Sequence, residues 1–390
     1  MASQPSTASD AVLDIEQGPI RPPSEARSLF LRLTRNCPWN RCLFCPVYKK
    51  RKFSLRTVEE IKADIDTAAQ MIEAVKELSW SLGSGGRVDD GVISHVFHSP
   101  NYSDSLRNVA AWLYFGQGSV FLQDANNMIM KPDDLVAVLN HLRATIPGIS
   151  RVTTYARSKS VKQKSLEALK RIRRAGLDRI HIGLETGHDP LLKFMKKGVS
   201  AAEQIEAGQK AVAAGFELSE YVMPGLGGRE MSRGHALDTA LALNQINPHF
   251  IRLRTLRVPE RVPLYEEMVA GNFTMLDDEE CLAEIRLFLE NLEGITSRLT
   301  SDHIMNLIET LNGKLPEDKE RLLGIIDDYF ALPEEERLLY RVGRRAGLFR
   351  GPADLGSAGR SKAEAILSHI RGSRPGSEEA VIKDMADRFV

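Results

Sequence analysis

The sequence predicts an α/β fold: a partial (β/α)6 TIM-like barrel with a helical C-terminal subdomain. Three observations carry this. Short β-capable runs alternate with helical segments six times between residues 28 and 256, no glycine-rich dinucleotide fingerprint follows the first strand, and the strand signal stops near residue 275. Alternation of this kind favours parallel strands joined by right-handed crossovers. The missing fingerprint tilts the choice from an open doubly wound sheet to a barrel.

The elements follow in order. Residues 1–27 are rich in Ser, Pro, Ala and charge without periodicity, and are expected as a flexible or draped tail. "SLFLRLT" (28–34) is the first strand, and residues 57–78 show helical spacing of Val58, Ile61, Ile65, Ala68, Ile72 and Val75. "SVFLQ" (119–123), "RVTTYA" (151–156), "RIHIGLE" (179–185), "FELSEYVM" (216–223) and "HFIRLRTL" (249–256) are the later strands, with helical segments between them. Residues 79–117 are too long for a simple return to the sheet, and read as a surface elaboration or a substrate-facing lid. The expected domains are the tail, a barrel over 28–272, a helical subdomain over 273–350, and a linker with a terminal helix over 351–390.

Composition bounds the setting. The chain of 390 residues has 52 basic and 52 acidic side chains, so no overall basic excess marks a general nucleic-acid binder. No apolar run reaches the roughly 20 residues that cross a bilayer, and the polar start lacks the order of a signal peptide. Four cysteines are too few for a disulfide framework. A cytoplasmic protein is expected.

Three of those cysteines fall within nine residues of "RNCPWNRCLFCPVYKKRK": Cys37, Cys42 and Cys45. A chain this short between them can bring three sulfurs onto one metal centre. Structural zinc takes four protein ligands and catalytic zinc three plus water. A four-iron cube held by three cysteines leaves one iron without a protein ligand. Both centres remain open on the residues alone.

The cysteine loop after the first strand, with "GLETG" (183–187) and "VMPGLGG" (222–228) after later strands, resembles the radical S-adenosylmethionine (radical SAM) enzymes. The likeness covers roughly residues 28–270, and is nearest to the branch of the Elongator catalytic subunit, the methylthiotransferases and oxygen-independent coproporphyrinogen oxidase. The spacing C-x4-C-x2-C has one residue more than the usual family pattern. The resemblance implies a [4Fe–4S] cluster on Cys37, Cys42 and Cys45, with S-adenosylmethionine on the open iron. It implies cofactor contacts from Phe44, from Gln123 and Asp124 where the family is usually glycine-rich, from Glu185 in "GLETG", and from Glu220 and Met223 around the fifth strand. Tyr155 and Arg157, at the end of the third strand, are further candidates for the cofactor or the substrate. An electron donor such as flavodoxin or ferredoxin is the implied partner, and oxygen sensitivity follows.

Plainer roles stand beside these. Asp124 suits a turn cap, Gly225, Gly227 and Gly228 suit turn geometry, Arg157 suits a salt bridge, and Cys281 in "DEECLAEI" suits packing. Arg252 and Arg254 alternate on the last strand and share one face. His303 and Asn306 are expected one turn apart on a helix, and Lys49 to Lys52 read as a solvated run or as cover for an anionic cluster. Three functions follow: a radical enzyme on a small or medium organic substrate, a radical enzyme modifying RNA or a protein side chain, and a non-enzymatic metal module, zinc-stabilised or degenerate, that binds a partner. Nothing in the sequence names the substrate or a catalytic residue.

Overall fold

A computed structural model describes residues 13–373 and 376–388. Its strands are β1 (Leu29–Arg32), β2 (Thr34–Arg35), β3 (Ser54–Leu55), β4 (Ser119–Gln123), β5 (Arg151–Ala156), β6 (Arg179–Glu185), β7 (Glu217–Val222), β8 (Phe250–Leu253), β9 (Arg298–Thr300) and β10 (Gly313–Lys314). The helices are α1 (Val58–Ser81), α2 (Asp90–His98), α3 (Asp104–Phe115), α4 (Pro132–Thr145), α5 (Ser158–Lys162), α6 (Leu166–Arg174), α7 (Asp189–Phe194), α8 (Ala201–Ala213), α9 (Gly228–Ile246), α10 (Leu264–Val269), α11 (Asp278–Glu290), α12 (Lys319–Ala331), α13 (Glu334–Arg345), α14 (Arg360–Ser373) and α15 (Glu378–Asp387). Strand order in the sheet is β1-β4-β5-β6-β7-β8-β9-β10. The fold is therefore α/β, with the six expected strands in chain order and helices between them.

The chain divides into two compact units. One holds the described residues up to Pro38, Arg51–Ala156 and Glu167–Ile180; the other holds Trp39–Lys50, Arg157–Leu166 and His181 onward.

In the first unit β1 and β4 run parallel, with Leu29 opposite Val120 and Arg32 opposite Gln123, and β4 runs parallel to β5 from Ser119 opposite Arg151. Every residue of β4 is buried, as expected of a parallel strand covered on both faces. The β2 and β3 pair is antiparallel, with Thr34 opposite Leu55, and closes a small ribbon at the base of the cysteine loop. Thr57 opens α1 with a capping box to Glu60. The 79–117 segment folds as α2 and α3, burying Val92, Val96, Leu106, Val109 and Trp112. Of the expected tail, residues 1–12 lie outside the described residues. Glu16 pairs with Arg32 at 3.0 Å and Arg35 at 2.7 Å, so the following stretch is tied to this unit.

In the second unit β7 and β8 are parallel, with Glu220 opposite Ile251. Beyond residue 275 the expectation of helices alone is corrected: β9 pairs in parallel with β8, and β10 pairs antiparallel with β9. Strands of three and two residues are too short to show a period. The helix expected over 301–311 is also absent, because that stretch is irregular. Its polar groups are met by partners distant in sequence, described below.

Candidate active site

The division between units falls inside the cysteine loop, between Pro38 and Trp39. Cys37, Gln123, Asp124 and Tyr155 belong to the first unit. Cys42, Phe44, Cys45, Arg157, Glu185, Glu220 and Met223 belong to the second.

On the first side, Asp124 is fully buried. Its Oδ2 accepts from Arg32 Nη2 at 2.6 Å and from the backbone N of Asn36 at 3.1 Å. Asn36 has φ of 68° and directly precedes Cys37, so this carboxylate fixes the left-handed turn that delivers the first cysteine. Gln123 grips the chain at Gly18, accepting from its N at 2.8 Å and donating to its carbonyl at 3.2 Å. Tyr155 meets Phe121 edge-on with ring centroids 5.2 Å apart. Asn127, which sequence reasoning missed, ties three strands together. It accepts from Thr34 Oγ1 at 2.8 Å and donates to the Leu122 carbonyl at 2.9 Å and Thr154 Oγ1 at 2.9 Å.

On the second side, Leu43 anchors the loop. Its N donates to the Met195 carbonyl at 3.1 Å, its carbonyl accepts from Leu264 N at 2.9 Å, and its side chain is buried with Leu191, Met195, Leu226, Val262 and Phe273. With Leu43 turned inward, the flanking Cys42 and Phe44 remain only partly buried. Lys49 Nζ donates to the carbonyls of Asn40 at 3.0 Å and Cys42 at 2.8 Å, so this lysine is a loop clamp rather than a solvated charge. The indole N–H of Trp39 donates to the Lys196 carbonyl at 2.7 Å, and a Cβ on Gly198 would lie 2.2 Å from the Trp39 ring.

The "GLETG" and "VMPGLGG" stretches are joined through backbone and buried side chains. Glu185 has φ of 64°, and a Cβ on Gly183 would fall 2.2 Å from its Oε1. Glycine at 183 therefore lets the Glu185 side chain fold back. Lys197 Nζ donates to Glu185 Oε1 at 3.0 Å and stands 5.4 Å from the Phe44 ring centroid, linking an expected acidic contact with an expected aromatic one. Met223 N donates to the Glu185 carbonyl at 3.1 Å. Arg157 is engaged by its own unit, donating to the Lys197 carbonyl at 2.7 Å and standing 5.1 Å from the Trp39 ring centroid. Glu220 is buried; burial holds its carboxyl well above the ordinary range, with Lys197 opposing and Glu185 adding to the rise. Its Oε2 has no hydrogen-bond partner.

Two residues hold these loops in place without having been foreseen. Glu284 of α11 accepts from Gly225 N at 2.7 Å and from Ser232 Oγ at 2.5 Å. His235 bonds Thr186 Oγ1 at 2.8 Å and the Met223 carbonyl at 3.1 Å. No local pattern marks either, since each acts on a segment far away in the chain. Cys281 lies in the core, where burial, with Glu284 adding, pushes its thiol well above the ordinary range.

Residues 100–239 match the model of the radical SAM superfamily. The likeness to that superfamily thus spans about a third of the chain. It is 26% identical over 108 residues to the tRNA uridine(34) acetyltransferase of Methanocaldococcus jannaschii, covering 27% of this chain and 20% of that protein. The corresponding protein of Methanocaldococcus infernus is 26% identical over 111 residues, covering 28% and 21%. The chain thus spans about a fifth of the length of these relatives. Among solved structures, the archaeal Methanocaldococcus infernus Elp3 with an N-terminal deletion aligns with a TM-score of 0.38 and 17% identity, over 47% of this chain and 48% of that one. Coproporphyrinogen III oxidase from Escherichia coli aligns with a TM-score of 0.44 and 12% identity, over 68% and 52%.

The cofactors that the likeness to this superfamily implies are a [4Fe–4S] cluster and S-adenosylmethionine. The residues fit both. Cys37, Cys42 and Cys45 form no disulfide and are partly exposed, as thiolate ligands must be. Among the described residues no three His, Cys, Asp or Glu side chains form a group able to hold a metal ion; a four-iron cube instead takes each thiolate on a different iron. For S-adenosylmethionine, the unpartnered Oε2 of buried Glu220 and the charged pair beside the Phe44 ring offer groups for a cationic, amine-bearing ligand. Among the described residues no helix is long and apolar enough to cross a membrane.

Proposed function

We propose that the chain reductively cleaves S-adenosylmethionine and uses the resulting 5′-deoxyadenosyl radical to abstract hydrogen from a small or medium organic substrate. The observation that carries this is the anchored Leu43 turn, which holds Cys42, Phe44 and Cys45 part-exposed, with the Phe44 ring beside Lys197 of the Lys197–Glu185 pair. Cys37, Cys42 and Cys45 hold the cluster, which when bound supplies the electron for cleavage. The chain's own groups orient the cofactor. Phe44 lies against the adenine side, Glu185 takes a polar contact with Lys197 balancing its charge, and Glu220, whose carboxyl burial pushes well above the ordinary range, offers a hydrogen bond. Met223 presents backbone fixed by Glu185. Gln123 and Asp124 act through placement of the strand end and of Cys37, and Tyr155 and Arg157 shape the surroundings. The electron comes from a flavodoxin- or ferredoxin-like donor.

The test is anaerobic reconstitution with iron and sulfide, reduction, and measurement of 5′-deoxyadenosine. Product is expected from the wild-type chain and lost in Cys42→Ala. No product from a chain with a full cluster overturns the reading. Glu185→Ala is expected to weaken S-adenosylmethionine binding about tenfold, read by calorimetry.

A second reading, radical modification of RNA, is favoured by one surface. Trp39 lies near two guanidiniums, Arg41 at 5.0 Å and Arg157 at 5.1 Å from its ring centroid. It borders an open hollow of about 410 Å³ with Lys193 and Lys196. Basic side chains around an aromatic suit a phosphate backbone, and the curated relatives are named for tRNA. Salt-dependent retention of transfer RNA, lost in a Lys193→Glu, Lys196→Glu double variant, supports this reading; binding unaffected by the double variant rejects it.

A further inference from the structure

Arg252 and Arg254 share one acidic partner. Arg252 donates from Nε to Ser219 Oγ at 3.1 Å and from Nη1 to Asp302 Oδ2 at 3.1 Å. Arg254 donates from Nη1 to Asp302 Oδ1 at 3.0 Å and to the Leu253 carbonyl at 3.0 Å. Its guanidinium lies 5.0 Å from the Tyr221 ring centroid, and its Nη2 is buried with no hydrogen-bond partner. Among the described residues, Asp302 makes the ion pairs of these two arginines. Two cations on one carboxylate leave one positive charge uncompensated.

Such a charge is costly away from water unless a counter-charge arrives. The guanidinium is also held ready. Asn306 accepts from Thr255 N at 3.0 Å and donates to the Leu253 carbonyl at 3.0 Å, clamping the residues on either side of Arg254. Both arginines lie at the C-terminal end of β8, the end at which α/β barrels bind their substrates.

We propose that Arg254, with Arg252 and Asp302, forms an oxyanion site for a carboxylate or phosphate of the substrate, separate from the S-adenosylmethionine carboxylate. The free Nη2 supplies the charge-assisted donor, and Asp302 sets the residual charge at one. The radical-enzyme reading enters only in calling the ligand a substrate. Binding is measured without turnover, so failure of either idea leaves the other standing.

The experiment is calorimetric titration of the reconstituted full chain with succinate and with inorganic phosphate, each with and without saturating S-adenosylmethionine. Arg254→Met is expected to weaken the preferred anion about tenfold, the scale of one charge-assisted hydrogen bond. Asp302→Asn, which raises the local charge, is expected to tighten it. The tighter of the two probes identifies the group the substrate carries. Unchanged affinity in Arg254→Met, or weaker binding in a folded Asp302→Asn, overturns the site. Competition by S-adenosylmethionine overturns its assignment to the substrate. If Asp302→Asn does not fold, Arg254→Met alone decides.

Discussion

Gly183 shows how little freedom the end of β6 has. Any side chain there meets the carboxylate of Glu185, with a Cβ only 2.2 Å from Oε1. Gly183→Ala is therefore expected to displace Glu185 from Lys197 and weaken S-adenosylmethionine binding by about tenfold, while circular dichroism stays native-like. Equal affinity in variant and wild type contradicts that. His303 makes a second prediction at this scale. Burial, with the charge of Arg254 adding, pushes it down to about 4 from an ordinary 6.5. Between those values the unfolded chain takes up a proton that the folded one refuses. Stability from this group is full above pH 6.5 and is lost as pH falls toward 4, by up to about 1.4 kcal/mol per unit. In His303→Gln that part of the slope is expected to vanish, and denaturant midpoints at pH 7, 6 and 5 read it directly.

Among elements, the cysteine turn and α11 act as fasteners. Leu43 is 7% exposed and held by backbone on both sides. Leu43→Ala is expected to cost about 2–4 kcal/mol and to lower iron retained after reconstitution, because the turn that presents Cys42 and Cys45 loses its anchor. Full iron loading in a destabilised Leu43→Ala would separate packing from ligand placement and reject the link. Glu284 fastens the "VMPGLGG" loop through Gly225 N and Ser232 Oγ. In Glu284→Ala a buried N–H loses its acceptor, at an expected cost of about 1–3 kcal/mol by urea unfolding.

In the whole molecule, the second unit is tied by a buried ion triad. Arg257 beyond β8 and Arg345 at the end of α13 both donate to Asp278 Oδ1 at the start of α11. Burial opposes ionisation of Asp278, but Arg345 and Arg257 outweigh it and hold its carboxyl below the ordinary range. Asp278→Asn leaves two buried guanidiniums without a counter-charge, with an expected loss of about 3–5 kcal/mol. S-adenosylmethionine binding by the folded fraction is expected to be unchanged, since none of the three residues is among the proposed cofactor contacts. A smaller loss would mean that water reaches the pair.

The sequence by itself determined what depends on neighbours along the chain. Alternation of strand and helix specified the α/β class, since a period of two or of 3.6 is written locally, and Cys37, Cys42 and Cys45 are contiguous enough to announce a shared centre. β9 and β10 escaped because three and two residues display no period. Lys197 beside Phe44, Glu284 on Gly225, and Asp302 beneath two arginines were decided only by tertiary structure. Each joins segments distant in sequence, and a partner chosen by proximity in space leaves no trace in local pattern. Folding also settled the electrostatics. Whether Glu220 is charged and whether Arg254 is compensated depend on burial and on the counting of neighbours, quantities that exist only once the chain has closed around them.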